Sequence, residues 1–121
     1  MTQAEYDAVP LRMLVSFFAA PLGVRLLKSS RVEREWAFTF KRTAQDGSMQ
    51  LVQGVIDCCF EEGGSWVLVD YKTDSPEDVS GAMVRHRPQL EIYADALGRI
   101  TKQPVKERVL YLVRAGIGYQ V

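Results

Sequence analysis

The dipeptide Gly63-Gly64, set between two apolar segments, constrains the fold of this chain more than any other feature. Residues 49–60 precede it and residues 66–72 follow it, and both segments have the length and composition of β-strands. Two residues that tolerate positive φ between two strands predict a two-residue turn and an antiparallel hairpin. In such a hairpin Glu62 pairs with Ser65, which sets the register of the whole ladder.

This register brings three ionisable side chains onto one face of the sheet. Counting back from the turn places Asp57 opposite Asp70, and Lys72 projects from the same face because residues two apart share a strand face. Two carboxylates directly across a strand pair repel one another, and burial beside Val69 and Ile56 increases the cost. A cation between them removes the conflict: the lysine supplies one positive charge, and a divalent metal ion would supply two more. The alternative is an exposed edge on which both carboxylates face water, but the flanking strands are too apolar for it.

The N-terminal part of the chain predicts helices followed by a strand. Apolar residues first recur at helical spacing, and Pro21 divides them into two short helices because proline is favoured in a first turn and disfavoured inside a helix. From Arg31 the apolar period changes to two residues, which is typical of a half-buried strand. The helical set is Leu11, Leu14, Val15, Phe18, Leu22, Leu26 and Leu27, and the strand set is Val32, Trp36, Phe38 and Phe40.

The C-terminal half predicts a helix and a last strand. After Asp74, residues 75–81 (SPEDVSG) form a loop or a single helical turn, with Ser75 as its N-cap. A longer helix extends to about Ile100, and Pro88 either kinks it or lies in its first turn. Residues 106–114 form the final strand, which is expected to be parallel to the third because a helix connects them. The order is helix, three strands, helix, strand: an α/β fold with a central mixed sheet flanked by helices.

Composition narrows the functional classes. Fifteen Lys and Arg residues balance fifteen Asp and Glu, and this formal net charge of zero argues mildly against a free-standing nucleic-acid binder. It leaves room for an enzyme that holds its strand briefly. The adjacent Cys58 and Cys59 point to opposite faces of a strand, which favours two buried apolar side chains over a zinc or disulfide pair. No apolar run reaches the roughly 20 residues that span a bilayer, and no secretion signal is present, so we expect a cytoplasmic protein without membrane contacts.

The group formed by Asp57, Asp70 and Lys72 suits phosphodiester hydrolysis. Hard carboxylate oxygens, without histidine or thiolate on that face, select magnesium or manganese over zinc. Such a metal acidifies a bound water and neutralises charge on a phosphoryl oxygen. A neighbouring lysine orients or deprotonates the attacking water, or stabilises the developing negative charge.

Several blocks of the chain resemble a known nuclease family. Residues 54–57 (GVID) followed by residues 70–72 (DYK) look like the PD-(D/E)XK signature. More narrowly, QGVIDCCFEE, WVLVDYKTD, RPQLEIYADAL and VLYLVR resemble successive blocks of the RecB-type nuclease domain, as found at the C-terminal end of the AddA subunits of bacterial AddAB helicase–nucleases. An isolated D-x-K is weakly specific, whereas DYKTD with GVID upstream and Gln-x-x-x-Tyr downstream is strongly specific. The resemblance covers the chain from about Arg31 onward and, weakly, its helical start.

The resemblance implies a restriction-endonuclease-like core and a metal-dependent exonuclease that degrades DNA ends during double-strand break repair and recombination. Its cofactor would be Mg²⁺, for which Mn²⁺ can substitute, and ATP would serve only the helicase part of the full-length parent. Its partners would be DNA, as single strands or duplex ends, and a second, AddB-like protein of the complex. Asp57 and Asp70 would be metal ligands together with the backbone carbonyl of Tyr71, and Lys72 would be the catalytic lysine.

Other residues have weaker claims to the site. Gln89 and Tyr93 match the family's Gln-x-x-x-Tyr motif and lie one helical turn apart, so both can face the site or the DNA backbone. Without the resemblance they would equally well be a polar flank of the helix and a core tyrosine. Glu35, on the polar side of its strand, is a further candidate carboxylate, although a solvated glutamate is the simpler interpretation. His86 is expected to be an ordinary surface histidine.

The chain departs from the family at one motif. In full-length relatives a helix that carries a histidine, in a Gly-Thr-x-x-His setting, precedes this region and contributes to the metal site, whereas His86 is the only histidine here. The helicase core is absent as well. We therefore expect residues 1–121 to be a single nuclease domain, an excised C-terminal fragment that lacks the histidine-bearing helix and the helicase core.

Three other functions remain compatible with the sequence. The first is a catalytically silent nuclease-like domain used for DNA binding or for the assembly of subunits, which the missing histidine favours and the intact Asp57, Asp70 and Lys72 oppose. The second is a different nuclease on a similar sheet, such as an RNA-directed nuclease or a restriction endonuclease, which the RPQLEIYADAL block opposes. The third is a structural α/β module in which the two carboxylates meet by chance.

Overall fold

A five-stranded mixed sheet with one helix packed on each face forms the frame of the protein. The computed structural model describes residues 16–121, so the predicted helical residues Leu11, Leu14 and Val15 lie outside the described part. The elements are α1 (Pro21–Lys28), β1 (Val32–Thr43), β2 (Met49–Glu62), β3 (Ser65–Lys72), α2 (Val79–Thr101), β4 (Val105–Leu112) and β5 (Ile117–Gln120). Within residues 16–121, none of the helices combines the length and the apolar character needed to cross a membrane.

The strands lie in the order β1-β2-β3-β4-β5, and all neighbours are antiparallel except β3 and β4. Because α2 connects those two strands, the predicted parallel crossover is confirmed. The fifth strand was not predicted, and the strand before it ends at Leu112 rather than Arg114. Gly116, with a φ of +69°, turns the chain so that β5 returns along β4 as the edge of the sheet.

The glycine turn between β2 and β3 forms as the sequence predicts. Gly63 and Gly64 adopt φ values of +63° and +81°, and Glu62 pairs with Ser65. The paired positions continue in the same register as far as Cys58 and Val69. One step further, the same register brings Asp57 and Asp70 level with each other.

The two helices begin where local chemistry allows them to. Pro21 occupies the first turn of α1, as predicted. Ser75 caps only a short turn, in which its hydroxyl accepts the Glu77 N–H at 3.3 Å, while Asp78 precedes the first residue of α2. Pro88 lies in the interior of α2, not in its first turn.

Two apolar layers hold the helices against the sheet. The α1 side includes Leu26, Cys58 and Phe60, and the α2 side includes Cys59 and Leu97. The two thiols are therefore buried on opposite faces, as predicted. Burial raises the pKa of Cys58 to about 11 and that of Cys59 to about 12, so both stay protonated at neutral pH and serve as small apolar side chains.

A shared irregularity crosses β1 and β2 at the level of Asp57. In β2, Ile56 packs on the α2 side but Cys58 packs on the α1 side, so the normal alternation of faces is interrupted between them. Glu35, at the same level of β1, has a φ of +49°, and the pairing of the two strands skips this position. The interruption carries the outer part of the β1–β2 hairpin, residues 36–56, underneath α2.

Candidate active site

Two carboxylates are buried side by side at the middle of the sheet. Asp57 on β2 is 7% exposed and Asp70 on β3 is 4% exposed, and they are the buried charged side chains among residues 16–121. Lys72 follows on the same face of β3, and its Nζ lies 3.4 Å from Oδ2 of Asp70. The structure therefore brings together the three residues that the hairpin register predicted.

The two carboxylates are held differently. Oδ2 of Asp57 accepts the backbone N–H of Tyr71 at 3.0 Å, which ties the side chain to the neighbouring strand. Oδ2 of Asp70 is buried and forms no hydrogen bond among the described residues; its neighbour is the ammonium group of Lys72, at ion-pair distance. A buried oxygen without a hydrogen bond is costly, so its retention calls for a ligand or a catalytic role.

The electrostatics of the pair favour a bound cation. Burial raises the pKa of Asp70 to about 7; Lys72 lowers it and the neighbouring Asp57 raises it further. The lysine therefore compensates only part of the charge of two adjacent buried carboxylates. A cation placed at the unbonded oxygen of Asp70 would restore the ionised form.

The donor set fits a hard divalent cation. Asp57 and Asp70 supply carboxylate oxygens from adjacent strands, which are the ligands that magnesium and manganese prefer. Within residues 16–121, no third acidic, histidine or cysteine side chain joins them in a metal-holding group. Glu35 lies level with Asp57, but its side chain is exposed and it is not brought into such a group.

Gln89 and Tyr93 lie on the side of α2 that faces the sheet. Nε2 of Gln89 donates to the Tyr93 hydroxyl at 3.3 Å, and the tyrosine ring stacks edge-to-face on Phe38 with 5.3 Å between centroids. A Cβ built on Gly54 would approach the tyrosine ring to 2.7 Å, so glycine is required for the ring to lie on β2 three residues before Asp57.

The direction of α2 places these two residues beside the carboxylate pair. Asp74, just after β3, contacts His86 near the start of the helix, and Trp66, near the start of β3, donates to Thr101 at its end. The helix therefore runs antiparallel along β3. Gln89 and Tyr93 lie between these two contacts, as Asp70 does on the strand.

A polar clasp at the end of β3 was not predicted from the sequence. The carboxylate of Asp74 accepts hydrogen bonds from Arg85 at 2.7 Å and lies 3.1 Å from the His86 ring, while Arg85 also reaches Asp78 at 3.0 Å. His86 is thus half-buried and bonded rather than an ordinary surface residue, and that prediction was wrong. Asp74 and His86 are twelve positions apart, so no local spacing rule could have joined them.

Buried carboxylates on adjacent strands, a lysine two residues along, and a parallel crossover helix define the fold and site of a metal-dependent nuclease. The chain belongs to the PD-(D/E)XK nuclease superfamily, whose family model matches residues 6–120.

Within that superfamily the chain is similar to large subunits of bacterial ATP-dependent helicase/nucleases. It is 40% identical to the helicase/nuclease protein of Lysinibacillus sphaericus and 41% identical to that of Alkaliphilus metalliredigens, with 93% of this chain matched in both cases. The matched region is 10% of each relative, so the chain spans about a tenth of their length. Among solved structures, that of SSO0001 superposes on 98% of this chain and 59% of its own, with a TM-score of 0.57 and 18% identity, which supports the fold.

Proposed function

We propose that this chain is a metal-dependent DNA exonuclease domain and that it acts within a bacterial helicase–nuclease during double-strand break repair and recombination. The observation that carries the proposal is the buried pair of Asp57 and Asp70, with one carboxylate oxygen unbonded and Lys72 at 3.4 Å. Membership of a nuclease superfamily and similarity to helicase/nuclease subunits support it.

Each residue of the pair has a distinct role in this proposal. Asp57 and Asp70 would hold Mg²⁺, or Mn²⁺ in its place, with the backbone carbonyl of Tyr71 as a further ligand. The metal would supply an acidified water and neutralise charge on a phosphoryl oxygen. Lys72, held close to the carboxylates and 15% exposed, would orient the attacking water or stabilise the charge that develops on the phosphate.

The surrounding elements would position the substrate. Gln89 and Tyr93 lie beside the pair on α2, and their amide and hydroxyl groups are suited to contacts with the DNA backbone. In the longer protein, a helicase part would use ATP to deliver the strand, and an AddB-like protein would complete the complex. Glu35, exposed on β1, is given no part in catalysis.

Cleavage of a labelled single strand by the 121-residue chain tests this proposal. The chain is first stripped of metal and then supplied with Mg²⁺ or Mn²⁺. We expect cleavage that needs the metal, and a loss of about 100-fold or more in Asp70→Asn and Asp57→Asn. Asp95→Asn is the matched control, since Asp95 pairs with Arg99 on the outer surface of α2.

Three outcomes would contradict the proposal. Cleavage that survives both substitutions would place the chemistry elsewhere. Absence of cleavage with every metal, in a chain that still folds and binds DNA, would favour the catalytically silent alternative. Faster cleavage of RNA than of DNA would overturn the substrate assignment.

A further inference from the structure

A groove runs from the carboxylate pair toward the tip of the β1–β2 hairpin. One wall is α2, with Gln89, Ile92 and Tyr93, and the other is the outer hairpin, with Arg42, Gln50 and Gln53. Its volume is about 740 Å³. The groove exists because the irregularity at Asp57 carries the hairpin underneath the helix, and its inner end is the pair of α2 residues already placed beside the site.

The lining of this groove is basic and amide-rich. Of the described residues that line it, none is acidic, and two are arginines. Arg85 is already engaged by Asp74 and Asp78. Arg42, in contrast, forms no ion pair within residues 16–121; its Nε donates to the Gln50 side chain at 3.1 Å, which aims the guanidinium along the groove wall.

The sign of the surface changes beyond Arg42. The adjoining hollow is lined by Asp46 and Asp95 as well as by Arg42. An anionic chain that follows the groove from the site therefore meets a cation at its far end and then two carboxylates. This arrangement favours a polyanion of limited contact length.

We propose that this groove is the path of single-stranded DNA away from the carboxylate pair, with Arg42 as its outermost phosphate contact. The inference rests on the proposed function and adds the route of the strand. The guanidinium of Arg42 can bind a phosphate through two parallel N–H donors, and the glutamine amides can donate to phosphate or sugar oxygens. Ile92 and the ring of Tyr93 offer apolar surface to unstacked bases, which a duplex does not expose.

The strand length that this path accommodates follows from the hairpin geometry. Gln50, the partner of Arg42, precedes Asp57 by seven positions on β2. At about 3.3 Å per residue the path is roughly 23 Å long. At about 3.4 Å per stacked nucleotide, this corresponds to roughly seven nucleotides.

Strand binding as a function of length tests the path. Fluorescence anisotropy is measured with labelled oligo-dT of 4 to 16 nucleotides in EDTA, so that no strand is cut. We expect affinity to rise to about seven or eight nucleotides and then level off. Arg42→Gln should weaken the longer strands about tenfold, leave the shortest within about twofold, and reduce the salt dependence by about 0.7 in the log–log slope.

Lys41→Gln is the matched control. Lys41 is adjacent in sequence, is exposed, and by strand alternation points to the face of the hairpin away from α2. It should change affinity at every length by less than about twofold. An equal loss in both variants would show attraction to net charge alone and would overturn the path, as would tighter binding of a duplex of equal length.

The outcomes separate this inference from the proposed function. Length-dependent binding that Arg42→Gln abolishes supports the path even in a chain that cuts no DNA with metal. Metal-dependent cleavage with no length dependence and no effect of Arg42→Gln overturns the path alone.

Discussion

Replacing Asp70 with asparagine should stabilise the metal-free protein. The substitution keeps the shape of the side chain but removes a negative charge that is 4% exposed and lies beside Asp57. A buried polar group without a hydrogen bond costs about 1–3 kcal/mol, and a like charge across a strand pair adds about 0.2–1 kcal/mol. The lost ion pair with Lys72 offsets about 1 kcal/mol of this gain.

The expected net gain is therefore about 1–2 kcal/mol. At about 4 °C per kcal/mol for a domain of this size, the melting temperature should rise by about 4–8 °C at pH 8 in EDTA. The pKa of Asp70 sets a ceiling: a shift from 3.8 to about 7 corresponds to about 4 kcal/mol.

The gain should depend on pH with a defined sign. Because the pKa of Asp70 is raised on folding, the native state binds more protons than the unfolded state between about pH 4 and pH 7. Its contribution to stability is fully present below that window and is lost as the pH rises through it. The difference between Asp70→Asn and wild type should therefore be small at pH 5 and largest at pH 8.

Thermal unfolding at both pH values, with and without Mn²⁺, tests this reasoning. Metal at about 100 times its dissociation constant adds about 2.7 kcal/mol to wild type and should add little to the variant, so the order of stability reverses. Asp95→Asn should shift the melting temperature in neither direction beyond about 2 °C. A variant less stable than wild type at pH 8 in EDTA, or a difference independent of pH, would refute the argument.

Three further predictions test other parts of the site and frame. Lys72→Met should lower turnover about 100-fold or more while leaving Mn²⁺ affinity within about threefold, measured by titrating the metal against both activity and binding. Gly54→Ala should cost about 1–3 kcal/mol in chemical denaturation, because the added methyl meets the ring of Tyr93 at 2.7 Å, whereas Gly98→Ala, with nothing nearer than 3.5 Å, should be neutral or stabilising. Glu62→Gln should flatten the acid limb of stability between about pH 4.5 and pH 2, since its cationic neighbours lower the pKa of Glu62 to about 2, and an unchanged acid limb would count against those ion pairs.

The part of the site that the sequence predicts is the part that local rules determine. A two-residue glycine turn sets the register from Glu62 back toward Asp57, and alternation then places Lys72 with Asp70. No longer-range information enters this inference. The crossover between β3 and β4 followed in the same way from one helical segment between two strands.

The features that were missed depend on contacts distant in sequence or on weak local signals. The edge strand β5 has only four residues, two of them glycine or glutamine, and it forms because β4 offers a free edge after the turn at Gly116. The clasp of Asp74 with Arg85 and His86 exists only once α2 lies back along β3. Pro88 lies inside α2, where its propensity alone argues against a helix.

The irregularity at Glu35 and Asp57 links these two categories. A glutamate at a φ of +49° gives no sequence signal, because positive φ is expected of glycine or asparagine. Yet without the interruption, strict alternation would put Ile56 and Cys58 on the same face and turn Asp57 away from both. The interruption instead lets Ile56 support α2 while Asp57 still reaches the Tyr71 N–H. One deviation from regular strand geometry thus both completes the carboxylate pair and carries the hairpin underneath the helix, so the site and the groove that leads from it have a common structural origin.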